Sequence, residues 1–313
     1  MQNAIAIIGA GVAGLAAARR LRQRGAAVVL FEKSRGIGGR MATRRVGDLQ
    51  FDHGAQYFTA KGPRFQEAVA GWEASRNVAP WFGRSYVGTP GMTAPASAMA
   101  EGLPVVTECQ VSSIRRNVDG WSVLDADGVV RTPGHGGFSA IVLAVPSPQA
   151  APLANSAGVA FPEIERARYA PCWALMLAFA TPLDLPADRI KPEDRVIGWI
   201  ARNASKPGRA QAQETIVVHA TPEWSRAHLE EAREEVARRL LARFQTVTGQ
   251  TRAPTFVAAH RWRYALVEEP AGTPFVWDAA SRLGACGDWC LGPRVEAAFD
   301  SGEALAEAVL TPS

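Results

Sequence analysis

The sequence predicts an α/β fold: a Rossmann-like nucleotide-binding domain carrying a β-meander, with a second, discontinuous domain of mixed sheet and helix. Three features predict it. The chain opens on an apolar run, a glycine-rich turn and a small-residue helical pattern. Residues 105–145 break into short β-rich runs, and the end returns to a strand-like stretch followed by a helical stripe. At 313 residues and 47% hydrophobic content, the chain can bury one large core or two medium ones.

The opening elements follow from local chemistry. Ala4–Ile8 is short and apolar, as a buried strand requires. In "VAGLAAARRLRQRG" alanine and leucine take one side and arginine the other, and Gly25 stands where a helix stops. "AAVVLFEKS" reads as a second buried strand, which completes a βαβ unit. Further on, "VVTECQVSSI", "GWSVLDADGVV" and "FSAIVLAVP" are separated by Asp-Gly and Pro-Gly signals. They predict an antiparallel meander returning to a buried strand at Ala140–Val145. From 160 to 260, "CWALMLAFATPL" and "ETIVVHAT" predict strands. Leu229, Ala232, Val236, Leu240, Phe244 and Val247 predict one helix. "LGACGD" predicts a last strand, and Val295, Phe299, Gly302, Leu305 and Val309 a last helix.

"GAGVAG" sets Gly9, Gly11 and Gly14 between the first strand and helix. The first glycine permits the turn, the second lets backbone approach a pyrophosphate, and the third lets helix and strand pack closely. Val12 and Ala13 lie within the same turn, where free helical N–H groups face an anion. Glu32 ends the second strand, so its carboxylate can accept from both hydroxyls of an adenosine ribose. "KSRGIGGRMATRR" then brings a second glycine pair, Gly38 and Gly39, with Arg40 or Arg35 able to neutralise a pyrophosphate. That second loop favours FAD over NAD.

Beyond these shared motifs, "DHGAQYFTA", "ARNASKPGR", "VVHATPEWSR", "AHRWRYA" and "ACGDWCLGPRVEAAFDSG" resemble the bacterial renalases over essentially the whole chain. The wider GxGxxG–Glu–RxGGR series resembles the two-dinucleotide-domain flavoproteins, which include monoamine oxidases and phytoene desaturases. The resemblance implies an amine oxidase or p-hydroxybenzoate hydroxylase-like fold. Residues 1–60, 91–160 and 265–313 would form the FAD-binding domain, and 61–90 and 161–264 the substrate domain. It implies non-covalent FAD, with contacts from Lys33, Met41, His53, Gly54, Ala55, Gln56, Tyr57 and Val111. Near the end, Gly287 and Asp288 would meet the ribityl chain. A helix beginning near Gly292–Pro293, with Arg294, Val295 and Ala298, would aim its N-terminus at flavin N1 and the C2 carbonyl.

Renalases oxidise NADH and NADPH isomers reduced at ring position 2 or 6, passing the electrons to O2 and releasing hydrogen peroxide. Bacterial members resemble enzymes that favour the 2-dihydro form. A dihydropyridine needs orientation and electrostatic help to lose a hydride, but no strong base. Asn203, which can pair with a carboxamide, and His219, Trp262 and Tyr264 are the expected substrate-positioning residues. Arg202, Lys206, Arg209 and Arg261 are expected at the trailing phosphates. His219 and Trp262 also have purely structural readings. An amine oxidase or desaturase is the enzymatic alternative, and a non-catalytic FAD- or NAD-binding sensing module the other.

Composition limits the remaining classes. A net charge of +4, with arginines interleaved among acids in "EEAREEVARRLLARF", favours a solvated helix face over a nucleic-acid stripe. Four cysteines form no disulfide framework, which points to a reducing cytoplasm. No apolar run is long enough to span a membrane, and a monomer is expected. Cys286 and Cys290 lack CxxC spacing and have no second ligand cluster, so they read as buried neighbours rather than a metal site.

Overall fold

Ile5–Ile8 is buried at all four positions, and this suits it to the centre of a parallel sheet covered on both faces. The computed structural model describes residues 4–133, 136–209 and 213–311. In it, Ile5–Ile8 pairs in parallel with Val28–Phe31 on one side and Ala140–Leu143 on the other. Leu283–Ala285 continues the sheet beyond Ala140–Leu143, Val276–Asp278 adds an antiparallel edge, and Val105–Val106 closes the opposite edge. The chain therefore leaves the central strand towards one neighbour and returns on its other side. The crevice at that reversal lies at the carboxyl ends of the strands, where open α/β sheets bind ligands.

The helix Val12–Gln23 lays its alanine-rich face on the sheet, with Leu15 and Leu21 fully buried. The last helix, Val295–Leu310, lies against it. Gly302 makes that approach possible: a Cβ there would stand 2.1 Å from the Ala13 carbonyl oxygen. Both ends of the chain are thus held to one sheet. The meander Val111–Asn117, Gly120–Asp125 and Val130–Arg131 packs Ile114, Trp121 and Val123 into a core shared with Phe31 and Phe138.

A second, antiparallel sheet runs in the order Arg189–Ile190, Ile197–Arg202, Glu214–Ala220, Arg168–Phe179, Phe256–Glu269. Alternation along its long central strand divides the two faces. Leu175, Leu177 and Phe179 pack with Val236, Leu240 and Phe244 of the helix Arg233–Thr248. Met176 and Ala178 face Phe51 instead.

Three local expectations change. The helix starts at Arg233, because Ala232 is extended with ψ 139°, so Leu229 and Ala232 precede it. The last helix starts at Val295, two residues beyond Pro293. A single helical turn, Asp288–Leu291, ends at Gly292, whose φ of +142° breaks the chain direction. The 14-residue strand Phe256–Glu269, which the sequence presented only as an aromatic block, is one of the longest elements.

Candidate active site

A cavity of about 2190 Å³ lies between the carboxyl ends of the parallel sheet and the second sheet. This exceeds the ~1,000 Å³ of the larger ordinary small-ligand sites, leaving room for a cofactor and a substrate together. Its walls include Gly9, Gly11, Val12, Ala13, Glu32, Lys33, Arg35, Gly39, Arg40 and Met41 from the N-terminal part. His53, Gly54, Ala55, Gln56, Tyr57 and Val111 line it as well, and Gly287, Asp288, Arg294, Val295 and Ala298 enter from the end of the chain. Of the residues expected at the cofactor, Gly14 alone is absent from the wall. It is consumed in packing, since a Cβ there would lie 2.0 Å from the Gly9 carbonyl oxygen.

The cradle fits a dinucleotide cofactor. Gly9 has φ +104°, and a Cβ would meet the Ala144 oxygen at 2.5 Å, whereas the same position on Gly11 opens onto free space. Gly39, at φ +55°, approaches from the second glycine loop, with its Cβ position 3.5 Å from Gly11 Cα. The first helix has no side-chain cap and no acid in its first turn, so its leading N–H groups call for an outside acceptor. Glu32 is buried. Its Oε2 accepts from Ala10 N at 3.0 Å and its Oε1 from Ser34 N at 2.8 Å. Each oxygen keeps a second lone pair for a ribose hydroxyl.

Arg40 and Asp288 join the two ends of the chain. The guanidinium donates to both carboxylate oxygens, at 2.8 and 2.7 Å. Burial works against the charge on Arg40, but the Asp288 carboxylate outweighs it and the arginine pKa is raised. The N-terminal end of the last helix is less positive than its backbone alone would make it. Glu296 stands in its first turn, buried, accepting from Lys61 N at 2.9 Å and Gly62 N at 2.5 Å.

The other end of the cavity is aromatic and neutral. His53, His260 and Trp262 form a cluster with ring centroids 4.4–5.0 Å apart. The His53 carbonyl organises it, accepting from Trp262 Nε1 at 2.9 Å and lying 3.2 Å from His219 Nε2. Gln56 Nε2 spends its two hydrogens on the Asp52 and Gly54 carbonyls, at 2.5 and 3.1 Å. His219 Nε2 therefore carries the proton given to His53, and Nδ1 is its acceptor. Burial holds His219 down to about 4. Burial, then Arg44, holds His53 to about 4, and burial, then His53, Arg233 and Arg44, holds His260 to about 3. Tyr264 also lines the cavity and meets Tyr169 edge-on at 5.5 Å.

The remaining expected contacts lie elsewhere. Asn203 is fully buried, accepting from Asp52 N and donating to the Gln50 carbonyl, so no amide edge faces the cavity. Lys206 and Arg209 are buried on one carboxylate, Asp52, at 3.2 and 2.5 Å. Arg202 pairs with Glu214 and Asp188. Arg261 does reach the cavity wall but is tied to Glu230 at 2.8 Å. The residues that sequence reasoning missed are His260, Trp199, Arg44, Arg45 and Arg233, all lining the cavity. The i, i+2, i+4 spacing of His260, Trp262 and Tyr264 along one strand was the available signal. Cys286 and Cys290 are buried thiols in the core, and among the described residues no cluster of three or more His, Cys, Asp or Glu can hold a metal. No described helix is long and apolar enough to cross a membrane.

Fold and site together define a protein built to hold a dinucleotide cofactor. Residues 7–72 match the NAD(P)-binding Rossmann-like domain, and residues 67–310 match flavin containing amine oxidoreductase. The chain belongs to the flavin-containing amine oxidoreductases, and its cofactor is FAD. Its fold is similar to that of putrescine oxidase solved with putrescine, at 14% identity and TM-score 0.70 over 99% of both chains. Cyclohexylamine oxidase from Brevibacterium oxydans IH-35A is similar at 13% identity, with the same score and coverage. A 4,4'-diapophytoene desaturase of Staphylococcus haemolyticus is 40% identical over 75 residues, 21% of this chain. That match spans only 15% of the desaturase's length.

Proposed function

We propose that the protein oxidises 2-dihydro or 6-dihydro isomers of NAD(P)H, returning the oxidised nucleotide and passing the electrons to O2 as hydrogen peroxide. Bound FAD supplies the hydride acceptor, N5. The protein residues hold and orient the substrate. Gly9–Ala13, Glu32, Lys33, Arg35, Gly39–Met41 and the Arg40–Asp288 pair would keep the cofactor in place. His53, Gly54, Ala55, Gln56, Tyr57, Val111, Gly287, Arg294, Val295 and Ala298 would complete its bed. Trp262, His219 and Tyr264 would form the surface against which a pyridine ring lies flat, with His219 Nδ1 available to accept from a carboxamide N–H.

The observation that carries this reading is the charge of the cavity. Of the nine basic side chains that line it, Lys33, Arg35, Arg40 and Arg294 would serve the cofactor, and Arg261 and Arg263 are paired with Glu230. That leaves Arg44, Arg45 and Arg233 for a substrate, beside three histidines that are neutral at physiological pH. Such a site attracts a phosphate-bearing substrate and opposes a cationic amine. An amine must also shed a proton before it yields a hydride. Lys206, expected at the trailing phosphates, is buried on Asp52 and Gln56 and does not line the cavity. Family membership supports a flavin amine oxidase or desaturase as the second reading.

Anaerobic mixing separates the two. Borohydride-reduced NAD, which contains the 2- and 6-dihydro isomers, is expected to bleach the flavin rapidly, while simple amines and putrescine leave it oxidised. The opposite pattern rejects the proposal, and bleaching by neither points to a sensing module.

A further inference from the structure

Arg44, in the strand Arg44–Val46, and Arg233, the first residue of the helix Arg233–Thr248, come from distant parts of the sequence to the same cavity wall. Neither has an ion-pair or side-chain hydrogen-bond partner among the described residues. Of the other arginines at this end, Arg261 and Arg263 are held by Glu230 and Arg40 by Asp288, while Arg45, next to Arg44 in the same strand, also lines the cavity. Arg44 and Arg233 line the same cavity as His260, and both oppose its protonation, after burial and His53. The wall runs from His260, 4.4 Å from Trp262, to the Trp262–His53 contact. Gly54 lies beneath it, its Cβ position 3.3 Å from Trp262 Cζ2 and 2.0 Å from the Arg40 carbonyl oxygen.

We propose that Arg44 and Arg233 form a phosphate-docking subsite that holds the phosphate groups of the substrate while its ring lies against Trp262. The proposal rests on the dihydronucleotide reading above, and it replaces Arg202, Lys206 and Arg209, whose charges are spent on buried carboxylates. Two unpaired guanidiniums facing one opening suit the several acceptor oxygens of a phosphate ester or diester. His260 is neutral chiefly because it is buried and faces His53, and the two arginines oppose its charge further, so it adds no competing cation. The arrangement also separates recognition from chemistry: the guanidiniums grip a part of the substrate that does not react, and the neutral aromatic wall receives the part that does.

The test uses FAD-loaded holoenzyme, so that the cofactor's own phosphate bed is filled. Inorganic pyrophosphate, NAD⁺ and NADP⁺ are titrated into wild type, Arg44→Gln, Arg233→Gln and the double variant, with binding read by calorimetry and by the flavin spectrum. Arg166→Gln removes the same charge from an exposed position beside a different hollow and serves as control. Each cavity substitution is expected to weaken pyrophosphate and NAD⁺ by about tenfold, as loss of a charge-assisted hydrogen bond does, with the control unchanged. A larger loss for NADP⁺ than for NAD⁺ assigns the subsite to the ribose phosphate, and equal losses assign it to the pyrophosphate. No pyrophosphate binding by wild type, variants within twofold of it, or an equal effect of the control overturns the subsite. Bleaching by borohydride-reduced NAD is followed in parallel. Normal bleaching with unchanged affinities removes the subsite and leaves the function, whereas lost affinities without bleaching in wild type do the reverse.

Discussion

Lys206 is expected to be a destabilising charge at neutral pH. Its side chain is fully buried, and its ammonium donates to Asp52 Oδ2 and Gln56 Oε1, each at 3.2 Å. Asp52 already has Arg209 at 2.5 Å, the Thr43 hydroxyl at 2.8 Å and Met92 N at 3.0 Å. The two cations share one anion, so burial outweighs the attraction and lowers Lys206 from 10.5 to about 8. A depression of that size corresponds to about 3 kcal/mol between the protonated and neutral forms. The unfolded chain holds the lysine proton up to about pH 10.5 and the folded chain only to about 8. Between those values the unfolded state binds more protons, so stability rises with pH; below about 8 the penalty is fully present.

The perturbation is Lys206→Met, compared with Asp52→Asn. At pH 7 the methionine variant removes the buried charge but leaves the Gln56 oxygen without a donor, worth about 1–3 kcal/mol in the opposite direction, so the two effects nearly cancel. Asp52→Asn leaves two buried cations without their anion and is expected to cost at least about 3–5 kcal/mol. Urea unfolding at a fixed excess of FAD, from pH 7 to 10.5, measures both. Wild type should gain about 3 kcal/mol relative to Lys206→Met across that range, most of it above pH 8. A difference that stays level with pH would show Lys206 titrating like an exposed lysine. Equal losses for the two variants would show that Asp52 does not hold a pair of cations. Either result refutes the reasoning.

The three cavity histidines have folded values near 3–4 against 6.5 unfolded, so their contribution is present above about pH 6.5 and lost as pH falls towards 4. Thermal melts should fall through that window, while the rate of flavin reduction stays flat from pH 5 to 8; a titration near 6.5 in that rate would contradict their neutrality. Gly302→Ala drives a Cβ into the Ala13 carbonyl and is expected to cost about 1–3 kcal/mol of stability and weaken FAD retention, both visible in melts with and without added FAD. An unchanged melting temperature would mean the two helices are not in tight contact. Arg40→Met strands the buried Asp288 carboxylate, and FAD should dissociate at least about tenfold more readily in dialysis or fluorescence-release assays. Full retention would remove the Arg40–Asp288 pair from the cofactor bed.

What the sequence made legible is what local geometry dictates. A strand, a glycine turn, a small-residue helix and an acid at the next strand end constrain one another within a few dozen residues, so Gly9, Gly11, Gly14 and Glu32 could be placed from spacing alone. The charged residues could not, because a charge declares its sign and not its partner. "RNASKPGR" looked like a phosphate cluster, yet Lys206 and Arg209 satisfy Asp52 from 154 and 157 positions away. Arg233 read as part of a solvated helix face and Arg44 had no assigned role, and only the fold brings both to the cavity, with no ion-pair partner among the described residues.

The stretch "DHGAQY" shows why the two kinds of information have to be joined. Asp52 turns inward to the buried cations, and the next carbonyl, that of His53, turns outward to Trp262 and the His219 ring. Gly54 lets that turn pass against Arg40, which reaches Asp288 at the other end of the chain. A buried ion group, an aromatic wall and a cofactor bed therefore meet in three consecutive residues. A shift in Asp52 would carry the His53 carbonyl with it, so the stability of that ion group and the position of the aromatic wall are coupled properties of the same turn.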